Sequence, residues 1–152
     1  MARFTRTFPP PQVRGDYTKF RPYVREDFQR LCAYCLVPED DAQGPEGFQL
    51  DHFRPQKKFE DEINNFYNLY YCCYVCNQKK SHHWPSEELQ QGGFYFVDLC
   101  VDNFDDHYNQ LEDGTWQPLT PAAKYTIDTI KLNREHLVRL RQRRAREGVY
   151  YR

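Results

Sequence analysis

The amino-acid sequence predicts a small α+β fold, with a helix, two short strands and another helix in the first half, and a hairpin and further helices in the second. Two observations support this prediction. Short segments in which apolar and polar residues alternate, as in strands, lie between segments whose apolar residues are spaced as in helices. In addition, two Cys-x-x-Cys pairs lie apart from each other in the first half of the chain. With 152 residues the chain is long enough for one domain with its own core. We expect an extended basic arm over residues 1–21, a core over 22–90, and a hairpin with a helical extension over 91–152.

The first half contains the predicted core. Val24, Phe28 and Leu31 are spaced at intervals of four and three, which places them on one face of a helix with Pro22 in its first turn. Alternation and aromatic content predict two strands after this helix. The predicted strands cover residues 48–53 and 66–72, and a helix starts within residues 75–84.

Turn and capping residues define the second half. A glycine pair opens a predicted strand over residues 92–102, and the Asp-Gly pair at 113–114 predicts a hairpin. The Thr-Pro pair at 120–121 is typical of a helix start, and Asn133 is the expected cap of a last helix. The apolar residues expected to face inward from these two helices are Ile127, Ile130, Leu132, Leu137 and Leu140.

Charge is distributed unevenly, although the formal net charge is only −1. Residues 1–30 contain seven Lys and Arg against three acidic residues, residues 131–152 contain eight against two, and residues 31–130 contain six against seventeen. Basic ends can bind a polyanion such as nucleic acid, whereas an arginine-rich helix alone is more typical of a solvated face. No apolar stretch reaches the ~20 residues that span a bilayer, and the first residues do not resemble a secretory signal. We therefore expect a cytoplasmic protein with reduced thiols and no membrane association.

The cysteines form two separated pairs, Cys32 with Cys35 and Cys73 with Cys76. In a reducing compartment this spacing indicates a structural zinc site, because Zn²⁺ favours four thiolates in a tetrahedron at ~2.3 Å. The alternative is that these residues are small buried hydrophobic side chains. The two remaining cysteines, Cys72 and Cys100, are expected in the core.

Four segments around these cysteines resemble the HNH endonuclease family. They are C-A-Y-C at 32–35, L-D-H-F-R-P at 50–55, N-L-Y-Y-C-C-Y-V-C-N at 68–77 and Q-K-K at 78–80. In that family a two-stranded hairpin and a helix hold one divalent metal, and many members brace this unit with a four-cysteine zinc site. The resemblance covers residues 32–84. It implies a ββα-metal core of the HNH, treble-clef-like type, braced by a zinc site of four cysteines.

The resemblance also implies roles for four residues. His52 looks like the general base that deprotonates the attacking water, and Asn68 looks like the residue that orients the His52 ring. Asp51 and Asn77 look like oxygen ligands of the catalytic metal. Some relatives have a histidine where this chain has Asn77, which shifts the site toward harder ligands. A carboxylate and an amide oxygen suit Mg²⁺ or Mn²⁺.

Basic and aromatic residues surround this candidate site. The residues expected to contact nucleic acid are Arg54, Lys79, Lys80 and His82. Trp84 or a tyrosine is a candidate for stacking on a base. For each residue alone, an ordinary surface position is the alternative. His107 is interpreted as a surface or hairpin residue and His136 as a structural residue.

The sequence therefore predicts a metal-dependent endonuclease that cuts DNA, with structural zinc and catalytic Mg²⁺ or Mn²⁺. The expected substrate is double-stranded DNA, and a regulatory or targeting protein is the expected partner. The resemblance also implies a role as an effector subunit of a bacterial restriction or antiphage system. Two alternatives stay open: a zinc-knuckle module that binds nucleic acid or protein without cutting, and an HNH nuclease that acts on RNA.

Overall fold

The computed structural model describes residues 1–149, and the last three residues of the predicted extension over 91–152 lie outside this range. The chain divides into two compact units. One unit is Phe4–Trp84, and the other combines Met1–Arg3 with the chain from Pro85 onward. The Phe4–Trp84 unit contains both Cys-x-x-Cys pairs and the candidate catalytic residues.

The Phe4–Trp84 unit is built on one antiparallel strand pair. Its helices and strands are α1 (Arg21–Asp27), β1 (Phe48–His52), β2 (Leu69–Cys73) and α2 (Tyr74–Lys80). Strands β1 and β2 pair in register from Phe48 opposite Cys73 to His52 opposite Leu69. Helix α2 follows β2 without a loop, so the two strands and this helix form a ββα unit. The predicted order of elements in this half is confirmed.

Aromatic side chains fill the core of this unit. All five residues of β2 are buried, and the Phe28 ring lies 4.7 Å from Phe4 and 5.1 Å from Tyr70. The N-terminal segment belongs to this packing. Arg6 pairs with Asp27 at 3.2 Å and donates to the carbonyl of Phe66. Part of the basic charge near the N-terminus is therefore used inside the fold.

Helical structure begins earlier in this unit than the sequence indicates. A 3₁₀ turn over Tyr17–Phe20 precedes α1, and the side chain of Asp16 caps this turn by accepting from Thr18 N–H. The extended backbone of the basic arm therefore ends near Asp16. The helix α1 is short, because Phe28 is its C-cap and Gln29 has a positive φ of 56°.

The second unit consists of a small hairpin and helices. Their bounds are α3 (Glu87–Gln91), α4 (Phe104–His107), β3 (Tyr108–Gln110), β4 (Trp116–Pro118), α5 (Pro121–Ile130) and α6 (Glu135–Arg146). The predicted hairpin is confirmed, and Gly114 in its turn has a φ of +88° that favours glycine. Thr120 caps α5 through a bond from Ala123 N–H to its hydroxyl. The five predicted inward-facing residues of this segment are all buried.

Three predictions for the second unit are wrong. Residues 92–102 form turns and irregular backbone instead of a strand, because the carboxylates of Asp98 and Asp102 bond to backbone N–H groups within the same segment. Cys100 lies in such a turn and is partly exposed, so it is not a core residue. Asn133 does not cap α6. Its side chain bonds to the backbone of Trp116, and Arg134 is the N-cap residue.

The basic helix α6 does not expose all of its arginines. Arg141 is 2% exposed, and its guanidinium carbon lies 3.9 Å from the centre of the Trp116 ring. This residue stabilises the packing of the second unit. Arg139, Arg143 and Arg146 are exposed.

Within residues 1–149, each helix is too short or too polar to cross a membrane.

Candidate active site

The four cysteines of the two pairs meet at one point. Cys32 and Cys35 lie in the turn after α1, Cys73 ends β2, and Cys76 lies in the first turn of α2. All four are buried, and their sulfur atoms lie within 4.8 Å of one another. The four cysteines are therefore positioned to form a zinc site, as the spacing predicts.

The chemistry of this cluster suits a cation. Burial raises the pKa of the Cys35 and Cys76 thiols well above their ordinary value. Deprotonated sulfur at this depth is stabilised when a divalent ion lies among the four thiolates, and Zn²⁺ suits such a set. Cys72 is buried outside the four-residue set, and its thiol bonds to the Cys73 carbonyl. The expected core position of Cys72 is confirmed.

Asp51 lies near the end of β1 with a buried carboxylate. The Tyr34 hydroxyl donates to its Oδ2 at 2.6 Å, and the Lys80 Nζ lies 3.2 Å from the same oxygen. The other oxygen, Oδ1, receives a longer bond of 3.5 Å from Lys80. Burial raises the pKa of Asp51, and the Lys80 charge and the Tyr34 bond act in the opposite direction. Asp51 is thus a desolvated carboxylate held by two defined donors.

The next residue, His52, has both ring nitrogens in hydrogen bonds. Its Nε2 lies 3.0 Å from the carbonyl oxygen of Ile63, and its Nδ1 lies 3.0 Å from the amide nitrogen of Gln56. A carbonyl can only accept, so Nε2 carries the proton and Nδ1 is the acceptor in the neutral ring. The Tyr17 ring packs edge-on at 4.5 Å. Burial lowers the pKa of His52, which favours the neutral ring that a general base requires.

Asn68 stabilises the loop that connects β1 and β2. Its side-chain oxygen accepts from the backbone N–H of Arg54 at 2.8 Å, and its amide donates to the carbonyls of Arg54 and Glu62. Glu62 immediately precedes Ile63, the residue whose carbonyl holds the His52 ring. Asn68 therefore holds the loop backbone next to the carbonyl that contacts the His52 ring, and its role in orienting this ring stays a prediction.

Asn77 lies on α2 directly after Cys76. Its amide nitrogen donates to the side chain of Gln49 at 2.5 Å, which leaves its side-chain oxygen as an acceptor. Asn77 lines one cavity of about 400 Å³ together with Asp51 and His52. Carboxylate and amide oxygens are hard ligands, so this donor set fits Mg²⁺ or Mn²⁺ in kind.

The residues predicted to contact nucleic acid divide into two groups. Arg54, Lys79 and His82 are exposed, and His82 lines the same cavity. Lys80 is fully buried, so its predicted contact with phosphate is wrong. The last turn of α2 directs Lys80 toward the strands, where its ammonium pairs with Asp51.

The remaining predicted residues, Trp84, His107 and His136, differ in their exposure. The indole of Trp84 packs edge-on against Phe53 and Phe59 and is partly exposed. His107 is buried and bonds to the Thr120 hydroxyl at 2.7 Å, so it is not a surface residue. His136 is exposed on α6.

Sequence reasoning missed the side chains that position Asp51 and His52. Tyr34 lies inside the C-A-Y-C segment, and its place between two zinc ligands is the one signal that could have indicated it. Gln56 and Tyr17 contact the His52 ring from a loop and from the turn before α1. No spacing pattern connects these two residues to His52.

Comparison with known proteins agrees with this geometry. The sequence model of the HNH endonuclease family matches residues 32–83. No curated protein matches the chain. The matched range contains the four clustered cysteines and the ββα unit. Such a domain supports a nuclease-type function and the binding of nucleic acid. Residues 32–83 of this chain are therefore similar to the HNH endonuclease family.

Proposed function

We propose that this protein is a metal-dependent endonuclease that hydrolyses phosphodiester bonds of double-stranded DNA. The observation that carries the proposal is the common cavity lined by Asp51, His52 and Asn77, beside the cysteine cluster. A module that only binds nucleic acid has no need for a base and two hard oxygen donors around one cavity. Zinc stabilises the frame in this proposal, and Mg²⁺ or Mn²⁺ serves the reaction.

His52 is the proposed general base. Its Nδ1 accepts a proton from the attacking water once the exposed Gln56 amide has moved off that nitrogen. The Ile63 carbonyl keeps the proton on Nε2, so Nδ1 is the unprotonated nitrogen that can act as a base. The water oxygen forms the new bond to phosphorus, and the bond to the 3′-oxygen breaks, which leaves a 5′-phosphate.

Asp51 and Asn77 are the proposed ligands of the catalytic metal. A bound Mg²⁺ or Mn²⁺ supplies charge stabilisation at the phosphoryl group and at the leaving oxygen. Arg54, Lys79 and His82 are exposed around the cavity or on α2 and are proposed to hold the phosphate backbone. These contacts orient the duplex without reading its sequence.

The test is the nicking of supercoiled plasmid by the zinc-loaded protein with Mg²⁺ or Mn²⁺. Loss of a general base lowers rates by about 10²–10⁴-fold, so we expect His52→Ala to lose at least about 100-fold. His136→Ala is the matched control, because His136 is exposed on α6 and should leave the rate unchanged. Equal cleavage by wild type and His52→Ala would contradict the assignment of the base.

The same assay distinguishes the alternative substrates. Cleavage of RNA without cleavage of plasmid would overturn the choice of DNA and keep the site. Binding of DNA without cleavage of either nucleic acid would favour the non-catalytic zinc-knuckle module.

The sequence resemblance adds a biological setting to this proposal. We place the protein as a cytoplasmic effector subunit in bacterial restriction or antiphage defence, directed by a partner protein. Plaque formation on cells that carry the wild-type protein, compared with His52→Ala cells, tests this setting. Equal plaque numbers in the two strains would contradict it.

A further inference from the structure

The turn that carries the first two zinc ligands also contacts Asp51. Tyr34 lies between Cys32 and Cys35, and its buried ring is stacked near Tyr70 with a centre-to-centre distance of 6.4 Å. Its hydroxyl donates to Asp51 Oδ2 at 2.6 Å. The backbone of this turn is fixed by bonds from Cys32 N–H to the Val37 carbonyl and from Leu36 N–H to the Cys32 carbonyl. A side chain anchored on a closed turn has little freedom to move away from its acceptor.

The second donor to Asp51 is attached to the other pair of cysteines. Lys80 ends α2, whose N-cap residue is Cys73 and whose first turn contains Cys76. Its Nζ contacts Asp51 Oδ2 at 3.2 Å and donates to the His52 carbonyl at 3.0 Å. Both donors to the carboxylate therefore come from elements that meet at the cysteine cluster.

The two donors concentrate on one carboxylate oxygen. Oδ2 receives the two shorter contacts, from Tyr34 and Lys80, whereas Oδ1 has only the 3.5 Å contact from Lys80 among the contacts described for it. A carboxylate oxygen with unused lone pairs is the better metal ligand. Rotation of the carboxylate about its bond would exchange the two oxygens, and the Tyr34 bond opposes that rotation.

We propose that Tyr34 is a positioning residue that links the zinc turn to the catalytic metal by holding Asp51 with Oδ1 directed at the metal. This inference rests on the proposed function, because it takes Asp51 as a metal ligand. Removal of a partner that orients a metal ligand typically costs about 10–100-fold in metal affinity or activity. The zinc site therefore has a role in setting the geometry of the second metal, in addition to bracing the fold.

The test compares Mn²⁺ binding by four forms of the zinc-loaded, full-length protein, measured by electron paramagnetic resonance of free Mn²⁺. The forms are wild type, Tyr34→Phe, Asp51→Asn and the control Tyr71→Phe. Tyr34→Phe keeps the ring and removes only the hydroxyl. Tyr71→Phe is matched, because it removes a buried tyrosine bond to a different carboxylate, that of Glu39.

We expect Tyr34→Phe to weaken Mn²⁺ binding by about 10-fold or more, with zinc content unchanged, and Tyr71→Phe to bind as wild type does. In the plasmid assay, Tyr34→Phe should need more Mn²⁺ for half-maximal cleavage and should recover its rate at saturating Mn²⁺. If Tyr34 had a purely structural role, saturating Mn²⁺ would not restore the cleavage rate of Tyr34→Phe.

Two outcomes would overturn the inference alone. The first is that Tyr34→Phe binds Mn²⁺ with wild-type affinity while Asp51→Asn binds Mn²⁺ poorly. The second is that Tyr34→Phe loses zinc, because the hydroxyl would then belong to the zinc scaffold. Equal Mn²⁺ binding by wild type and Asp51→Asn would overturn the proposed metal site itself, and the inference with it.

Discussion

Replacing Lys80 by methionine should destabilise the Phe4–Trp84 unit by about 3–5 kcal/mol, the usual cost of removing one partner from a buried ion pair. The Lys80 side chain is 0% exposed and that of Asp51 is 5% exposed, so water does not replace the lost contact. Methionine keeps most of the apolar stem and removes the ammonium. The Asp51 carboxylate then keeps the Tyr34 hydroxyl as its described donor, and the His52 carbonyl loses the bond from Nζ. The expected loss is therefore mainly the cost of an uncompensated buried charge.

The assay is urea unfolding of zinc-loaded protein, followed by circular dichroism and by zinc release to a coloured chelator. Zinc release reports on this unit, because the cysteine cluster lies within it. Lys79→Met is the control, since Lys79 is the preceding residue and is exposed. Adding Asp51→Asn to Lys80→Met should restore part of the stability by removing the unpaired charge. A loss below about 1 kcal/mol for Lys80→Met, the value of an exposed pair, would refute this reasoning.

Two further predictions concern the zinc site and the hairpin turn. Cys32→Ser and Cys76→Ser should each lose zinc and cooperative unfolding, because metal binding and folding are coupled in such sites. Wild type treated with a chelator should behave in the same way. Metal analysis and thermal scans check this prediction, and full zinc content with an unchanged melting temperature in either variant would contradict it. Gly114→Ala should destabilise the second unit by more than the ~1–2 kcal/mol of left-handed strain alone, because a Cβ would lie 2.6 Å from the carbonyl oxygen of Val138. Gly148→Ala is the control, because Gly148 also has a positive φ but has open space around the added Cβ. Thermal unfolding of the two variants therefore separates the clash from the backbone strain. Equal losses of stability in the two variants would refute the predicted clash.

Local patterns were sufficient for several features of the fold. The spacing of the cysteine pairs predicted the cluster, since a Cys-x-x-Cys turn presents two sulfurs to one ion. The Asp-Gly pair at 113–114 predicted the hairpin because its turn requires a positive φ, which Gly114 adopts. The Thr-Pro pair at 120–121 predicted the start of α5 for an equally local reason. In each case the determining contacts lie within a few residues.

Features that depend on distant contacts could not be predicted in this way. Lys79 and Lys80 are neighbours in sequence, but one is exposed and the other is buried against Asp51, 29 residues away. Successive residues of a helix point about 100° apart, and only the packed structure shows which one faces inward. The strand predicted over 92–102 failed because aspartate side chains satisfied the backbone N–H groups that a strand would pair.

The way Asn68 closes the β1–β2 loop suggests how this domain can be re-engineered. Its bonds to the backbones of Arg54 and Glu62 close the loop at its base. The hydrogen bonds to the His52 ring come from Gln56 and Ile63, on either side of residues 57–61. The segment 57–61 can therefore be exchanged for another of different length or charge while the ring keeps its hydrogen bonds. Such grafts would vary the contact with substrate independently of the groups proposed to cleave it.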